Sequence, residues 1–240
     1  MSLASMNTAA TARKLHLDEL PSAANETAPR PLPFALGKLD EALPEGGLPR
    51  GAVVEISSPY GLARASTLAL AACVSAQAEA RLRYGEETAE AWCAWLDPTG
   101  SLFAPALARA GVDLERLLVV QPPSDDLGRV AVRVAASGAF AVVIVDLTGV
   151  PGSRSAERLE RWLNPVRRLC LAVEGTETTV LLLTDAHAQR SLPLPVALRL
   201  EVDRAVEDRL MVRVAKDRRG RVSPAASILL PPAAPLKKSA

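Results

Sequence analysis

The feature that most constrains this chain is a repeated alternation: a short apolar run, a longer helix-like stretch, then a glycine. The runs are Ala52–Ile56, Ala91–Leu96, Leu117–Val120, Phe140–Val145 and Thr179–Leu183. Successive side chains within them are apolar on both faces, as in strands of a parallel sheet covered on both sides. The stretches between are Ala65–Tyr84, Leu102–Ala110, Asp125–Ser137 and Ala156–Glu174, followed by Gly85, Gly111, Gly138 and Gly175. A glycine just past a helix takes the left-handed backbone that ends it. This pattern predicts an α/β fold with a mainly parallel sheet and helices on both faces. Three later runs, Leu198–Val202, Leu210–Ala215 and Ser227–Leu230, are joined by turn residues without a helix. They predict antiparallel hairpin strands closing one edge.

With 240 residues, 49% of them hydrophobic, the chain can bury a core without a disulfide or metal staple. Aromatics make up only 3%, so that core must be built from Ala, Leu and Val. Residues 34–231 are expected to form the core domain. Residues 1–33, with a short helix over Thr11–Leu20 and then a Pro-, Ala- and Ser-rich segment, read as an N-terminal arm, partly disordered; residues 232–240 read as a disordered tail. Cys73, Cys93 and Cys170 are odd in number, apolar in context and form no C-x-x-C, which suits reduced core residues. His16 and His187 have no Cys or carboxylate at metal-ligand spacing, so no metal site is expected. Neither a signal peptide nor a membrane-length apolar run is evident, and the expected location is cytoplasmic. The formal net charge of +1 carries no general polyanion signal, but from Ala186 onward eleven Lys/Arg face five Asp/Glu.

In an α/β fold the loop after the first strand is the natural phosphate site, because backbone N–H groups and the next helix N-terminus favour an anion. A working phosphate loop reads G-x-x-x-x-G-K-[ST], its lysine reaching the terminal phosphates and its hydroxyl holding Mg²⁺. Here the loop runs from Ser57 through Gly61, Leu62, Ala63, Arg64 and Ala65 to Ser66 and Thr67. The hydroxyl pair is in place, but Ala65 stands at the lysine position and Arg64 at the preceding glycine. Downstream, Phe140–Asp146 is an apolar strand ending in a carboxylate, the shape of the second nucleotide-binding motif. Asp125 and Asp126 read as helix-start residues satisfying free N–H groups rather than as an acid/base pair. Trp92 and Trp95 flank Cys93 on a strand and read as packing residues, as does Trp162 on its helix.

Leu39–Leu43, then Gly46-Gly47-Leu48-Pro49-Arg50-Gly51 running into Val53-Val54-Glu55-Ile56, resembles the opening of the RecA recombinase core. Further similarity follows at Thr67–Leu70, at Ala110–Leu114 leading to Leu118–Pro122, and at the strand ending in Asp146. The similarity runs from about Leu36 to Pro231. The resemblance implies a RecA-like fold with a vestigial nucleotide site at Arg64, Ser66, Thr67 and Asp146. It also marks departures: the lysine is lost, the loop is about one residue longer, and the turn Asp97-Pro98-Thr99 lacks the glutamate that RecA carries after its second strand. The stretches 147–155 and 186–195 are short where the family has long DNA-binding loops.

A short RecA-like chain with a degraded ATP site looks like the ImuA family. That likeness implies an accessory role in DNA-damage-induced mutagenesis, without a cofactor, beside ImuB and an error-prone polymerase, with RecA as a further partner. Other readings stay open: a divergent ATPase using Arg64, Ser66 and Asp146, or a SulA-like inhibitor of division. A nucleic-acid contact through Lys216, Arg218, Arg219 and Arg221 would touch about three or four phosphates and bind weakly and salt-sensitively; the same residues also read as a simple polar turn.

Overall fold

The structure, a computed structural model, describes residues 29–59, 64–85, 91–150, 160–187, 193–204 and 209–230. The expected arm therefore lies largely outside the described residues, as do His16, the tail from residue 231 and parts of both shortened loops. Eight strands form one sheet: β1 (Ala52–Ser58), β2 (Trp92–Leu96), β3 (Leu117–Val120), β4 (Phe140–Asp146), β5 (Thr179–Asp185), β6 (Leu198–Arg204), β7 (Arg209–Asp217) and β8 (Ala226–Leu229). Their order is β3-β2-β4-β5-β1-β6-β7-β8. The first six run parallel, and β7 and β8 return antiparallel, as the missing helices between the last runs predict. Among the described residues the α-helices are α1 (Lys38–Ala42), α2 (Arg64–Tyr84), α3 (Ala104–Arg109), α4 (Leu127–Ala136) and α5 (Leu163–Val173).

Strand alternation divides the core between the two faces. Val54, Ile56, Cys93, Trp95, Ile144 and Leu181 point to the face covered by α2. Val53, Ala94, Leu96, Val143, Val145 and Leu182 point to the face covered by α4 and α5. All twelve are inaccessible to solvent, which is why the central strands read as unbroken apolar runs. The glycines expected past the helices, Gly85, Gly111, Gly138 and Gly175, all have positive φ. On α2, Gln77 accepts from Asp113 N–H (2.9 Å) and donates to Asp113 C=O (3.1 Å), tying the approach to β3 onto this helix.

Three expectations change. β3 is the sheet edge and is not covered on both sides: Leu118 and Val119, facing opposite ways, are 41% and 40% exposed. Trp92, paired with Phe140 at the start of β2, is 40% exposed rather than packed inside, whereas Trp95 is fully buried. Asp126 does not cap α4; its carboxylate instead accepts from Arg129 at 2.9 Å. The packed core also takes in Leu32, fully buried and bridged to Leu48, so it reaches just upstream of residue 34.

One buried acid interrupts β1. Glu55 accepts from Thr184 Oγ1 at 2.7 Å, and Arg199 on β6 lies 3.8 Å from its other oxygen. Arg199 also pairs with Glu201, which pairs in turn with Arg213 on β7, so charges alternate across three neighbouring strands.

Candidate functional site

Because β1, β2 and β4 are parallel, their C-terminal ends, Ser58, Leu96 and Asp146, meet at one edge of the sheet, where α/β folds bind ligands. A cleft of about 530 Å³ opens there. Ala65, Ser66 and Thr67, in the first turn of α2, form one wall. Thr99, Ser101, Leu102 and Phe103, after β2, form another, and Asp146, Thr148 and Gly149 close the floor. The structure thus brings Ser66, Thr67 and Asp146 together as the sequence suggests. Arg64 opens α2, but its side chain is outside the described residues, as are residues 60–63.

Among the described residues no lysine or arginine lines the cleft, and its one ionisable wall group is Asp146. Ala65 is 2% exposed and packs into the core below α2. Asp146 is 7% exposed, and its Oδ1 accepts from Thr148 N–H (2.9 Å) and Thr148 Oγ1 (2.6 Å). Burial raises its pKa above the ordinary aspartate value; the Thr148 bonds oppose this, and the nearby Asp97 charge adds to it.

Asp97, at the end of β2, organises the adjoining wall. It is fully buried, accepts Leu102 N–H at 2.8 Å on Oδ2, and on Oδ1 takes Thr99 N–H (3.2 Å), Thr99 Oγ1 (2.9 Å) and Ser101 Oγ (3.3 Å). Burial would raise its pKa, yet these bonds together hold the carboxyl below the usual range. Thr99 stands in the turn that follows β2, and its hydroxyl is directed to Asp97. Sequence reasoning read this turn only for its missing glutamate; the signal for its organiser is a strand-ending Asp followed by Pro-Thr-Gly-Ser, an Asx-type turn. Trp95, read as packing, is also part of the cleft wall.

The basic hairpin turn is partly neutralised in place. Arg219 and Arg221 pair with Glu45 at 2.6 and 3.1 Å, Arg221 also with Asp217 at 3.0 Å, and Lys216 donates to Leu194 C=O at 2.9 Å. Among the described residues Arg218 makes no ion pair and is exposed. The turn therefore clasps the segment between α1 and β1 and pairs two of its four cations, Arg219 and Arg221, with carboxylates.

At the other end of the sheet, Arg50 donates to Arg30 C=O (2.8 Å) and pairs with Glu79 on α2, fastening residues around Arg30 beneath the strands. Among the described residues no group of His, Cys, Asp and Glu could hold a metal ion, and no helix is long and apolar enough to cross a membrane.

A family model, the RecA N-terminal domain, matches residues 32–154. Similar curated proteins include RecA of Cutibacterium acnes, 35% identical over 116 residues, or 48% of this chain and 30% of that protein. RecA of Acidiphilium cryptum is 40% identical over 112 residues (45% and 29%), and RecA of Rhodospirillum centenum 42% over 113 (45% and 27%). The matched region thus spans less than a third of these relatives.

Proposed function

This chain belongs to the RecA N-terminal domain family, and from that premise we propose that it is a non-catalytic accessory protein of DNA-damage-induced mutagenesis. In this reading it acts in the cytoplasm, at the nucleoid, as an ImuA-type adaptor that binds ImuB and RecA during translesion synthesis and needs no cofactor. The observation that carries the reading is the cleft: a buried Ala65 at the lysine position and Thr99 at the glutamate turn. A triphosphate placed there would find no described lysine to reach its terminal phosphates.

The edge strand supports the partner role. Among the described residues no strand pairs with the outer side of β3, and apolar Leu118 and Val119 lie on its two faces, which suits pairing with another chain. Calorimetric titration with ATP and Mg²⁺, together with capture of purified ImuB and RecA, tests the proposal. The expected result is no nucleotide binding and retained partner binding; Mg²⁺-dependent ATP turnover would refute it. An arm deletion should stop at residue 28, since Leu32 belongs to the core. That deletion should abolish RecA binding and leave folding intact.

A second reading, a divergent ATPase, draws on Ser66 and Thr67 sharing the cleft with Asp146. It requires Mg²⁺-dependent nucleotide binding that Arg64→Ala removes.

A further inference from the structure

At the opposite end of the sheet from the cleft, a groove of about 340 Å³ runs beneath the strand starts. Its floor is alanine: Ala80 from α2, Ala91 just before β2, and Ala141 in β4. At its β1 end stand four charges in a ring. Glu79 accepts from Arg50 and Arg83, and Arg83 lies 3.6 Å from Glu177. Two arginines against two glutamates leave the ring neutral, so it selects no ion, and the close-packed alanine floor favours small side chains over large ones.

The chain itself enters the core at this groove. Arg50, which lines it, donates to Arg30 C=O at 2.8 Å, so the residues before Pro29 leave the core at the mouth of the groove. From β1 across β5 and β4 to β2 is three strand spacings, about 14 Å, and an extended chain advances about 3.3 Å per residue. Roughly five residues therefore cross it. The segment next upstream is Ala23-Ala24-Asn25-Glu26-Thr27-Ala28, free of aromatic and large aliphatic side chains. Its tether raises its local concentration to about millimolar, so modest complementarity is enough to fill the groove.

We infer that residues 23–28 dock in cis in this groove, with their small side chains on the alanine floor. The docking is independent of the accessory reading and adds to it: the segment leads the rest of the arm to the β2 side of the sheet, beside edge strand β3. Arm and edge then form one continuous surface for a partner.

The test is NMR on the isotope-labelled full chain. The expected result is nuclear Overhauser contacts between the methyls of Ala24 or Ala28 and those of Ala80, Ala91 or Ala141. Heteronuclear ¹H–¹⁵N Overhauser values for residues 23–28 should match those of α2. Ala24→Trp with Ala28→Trp, a change confined to the arm, should lose both signals and leave the core spectrum intact. Ala80→Met, which fills the groove from the helix side, should lose them too. Absent contacts, contacts that survive in the arm variant, or contacts seen only between differently labelled chains would overturn the inference, the last by placing the segment on a second copy. None of these readouts involves nucleotide or partner, so ATP turnover, which refutes the accessory reading, leaves them as they are.

Discussion

Replacing Asp97 with alanine tests whether a single buried carboxylate holds the cleft wall in place. Its four acceptor bonds are unequal in consequence. The Thr99 and Ser101 hydroxyls can turn to water at the cleft, and the exposed Thr99 N–H can be hydrated. Leu102 N–H, half-buried and bonded at 2.8 Å, loses its partner outright. A hydrogen bond to a charged acceptor contributes about 1.5–3 kcal/mol, and the rest of the turn adds roughly 1 kcal/mol, so the expected loss is about 2–4 kcal/mol. For a chain of this size each kcal/mol lowers Tm by about 2–4 °C, giving a drop of roughly 4–16 °C at pH 7 in a circular-dichroism melt. The pH dependence supplies a second check. A carboxyl held below its unfolded pKa stabilises fully above about pH 4 and loses that contribution as pH falls through its folded value. The gap between wild type and variant should therefore narrow in acid. A Tm change under about 2 °C, or a gap independent of pH, would refute the account.

Asp146→Asn should behave in the opposite sense. Burial raises the Asp146 pKa, so ionisation costs stability as pH rises past the ordinary aspartate value; the variant should gain on wild type at pH 7 and lose that gain near pH 3 in the same melts. Gly51→Ala combines a φ of +61° with a new Cβ only 2.8 Å from Thr176 C=O, and chemical denaturation should report a loss of about 2–4 kcal/mol. Glu45→Gln frees Arg219, while Arg221 keeps Asp217; Tm should stay within about 2 °C, and any DNA binding, read by fluorescence anisotropy, should steepen its log–log salt slope by about one. Leu118→Lys, at the exposed edge, should change stability by less than about 1 kcal/mol yet disrupt capture of a partner that pairs with β3.

Much of the fold is legible because the central strands are buried on both faces and announce themselves as apolar runs. The glycines past α2, α3, α4 and α5 and the helix-free final strands are equally local signals. Strand order is not local: Leu117–Val120 is as apolar as its neighbours, and only the crossovers make β3 an edge. The cleft was legible in part. Ser66, Thr67 and Asp146 sit where the loop and strand pattern suggests, but the role of Asp97 depends on a turn folding back to Leu102. The basic turn was the least legible, because the partner of Arg219 is Glu45, 174 positions away in the chain. A charge count shows the arginines and cannot show what neutralises them.

The Arg50 fastening has a consequence for how two partners could be accommodated at once. Arg50 fixes the backbone at Arg30 at the sheet edge where the strands begin, beside Glu79 and Glu177, whereas the cleft opens where β1, β2 and β4 end. The point at which the upstream chain joins the core is therefore separated from the cleft by the length of the strands. Contacts made at Arg30 itself and contacts made in the cleft share no side chain among the described residues, so their free energies should add rather than compete. Occupying either end would leave the other available, which is the geometry a bridging protein requires.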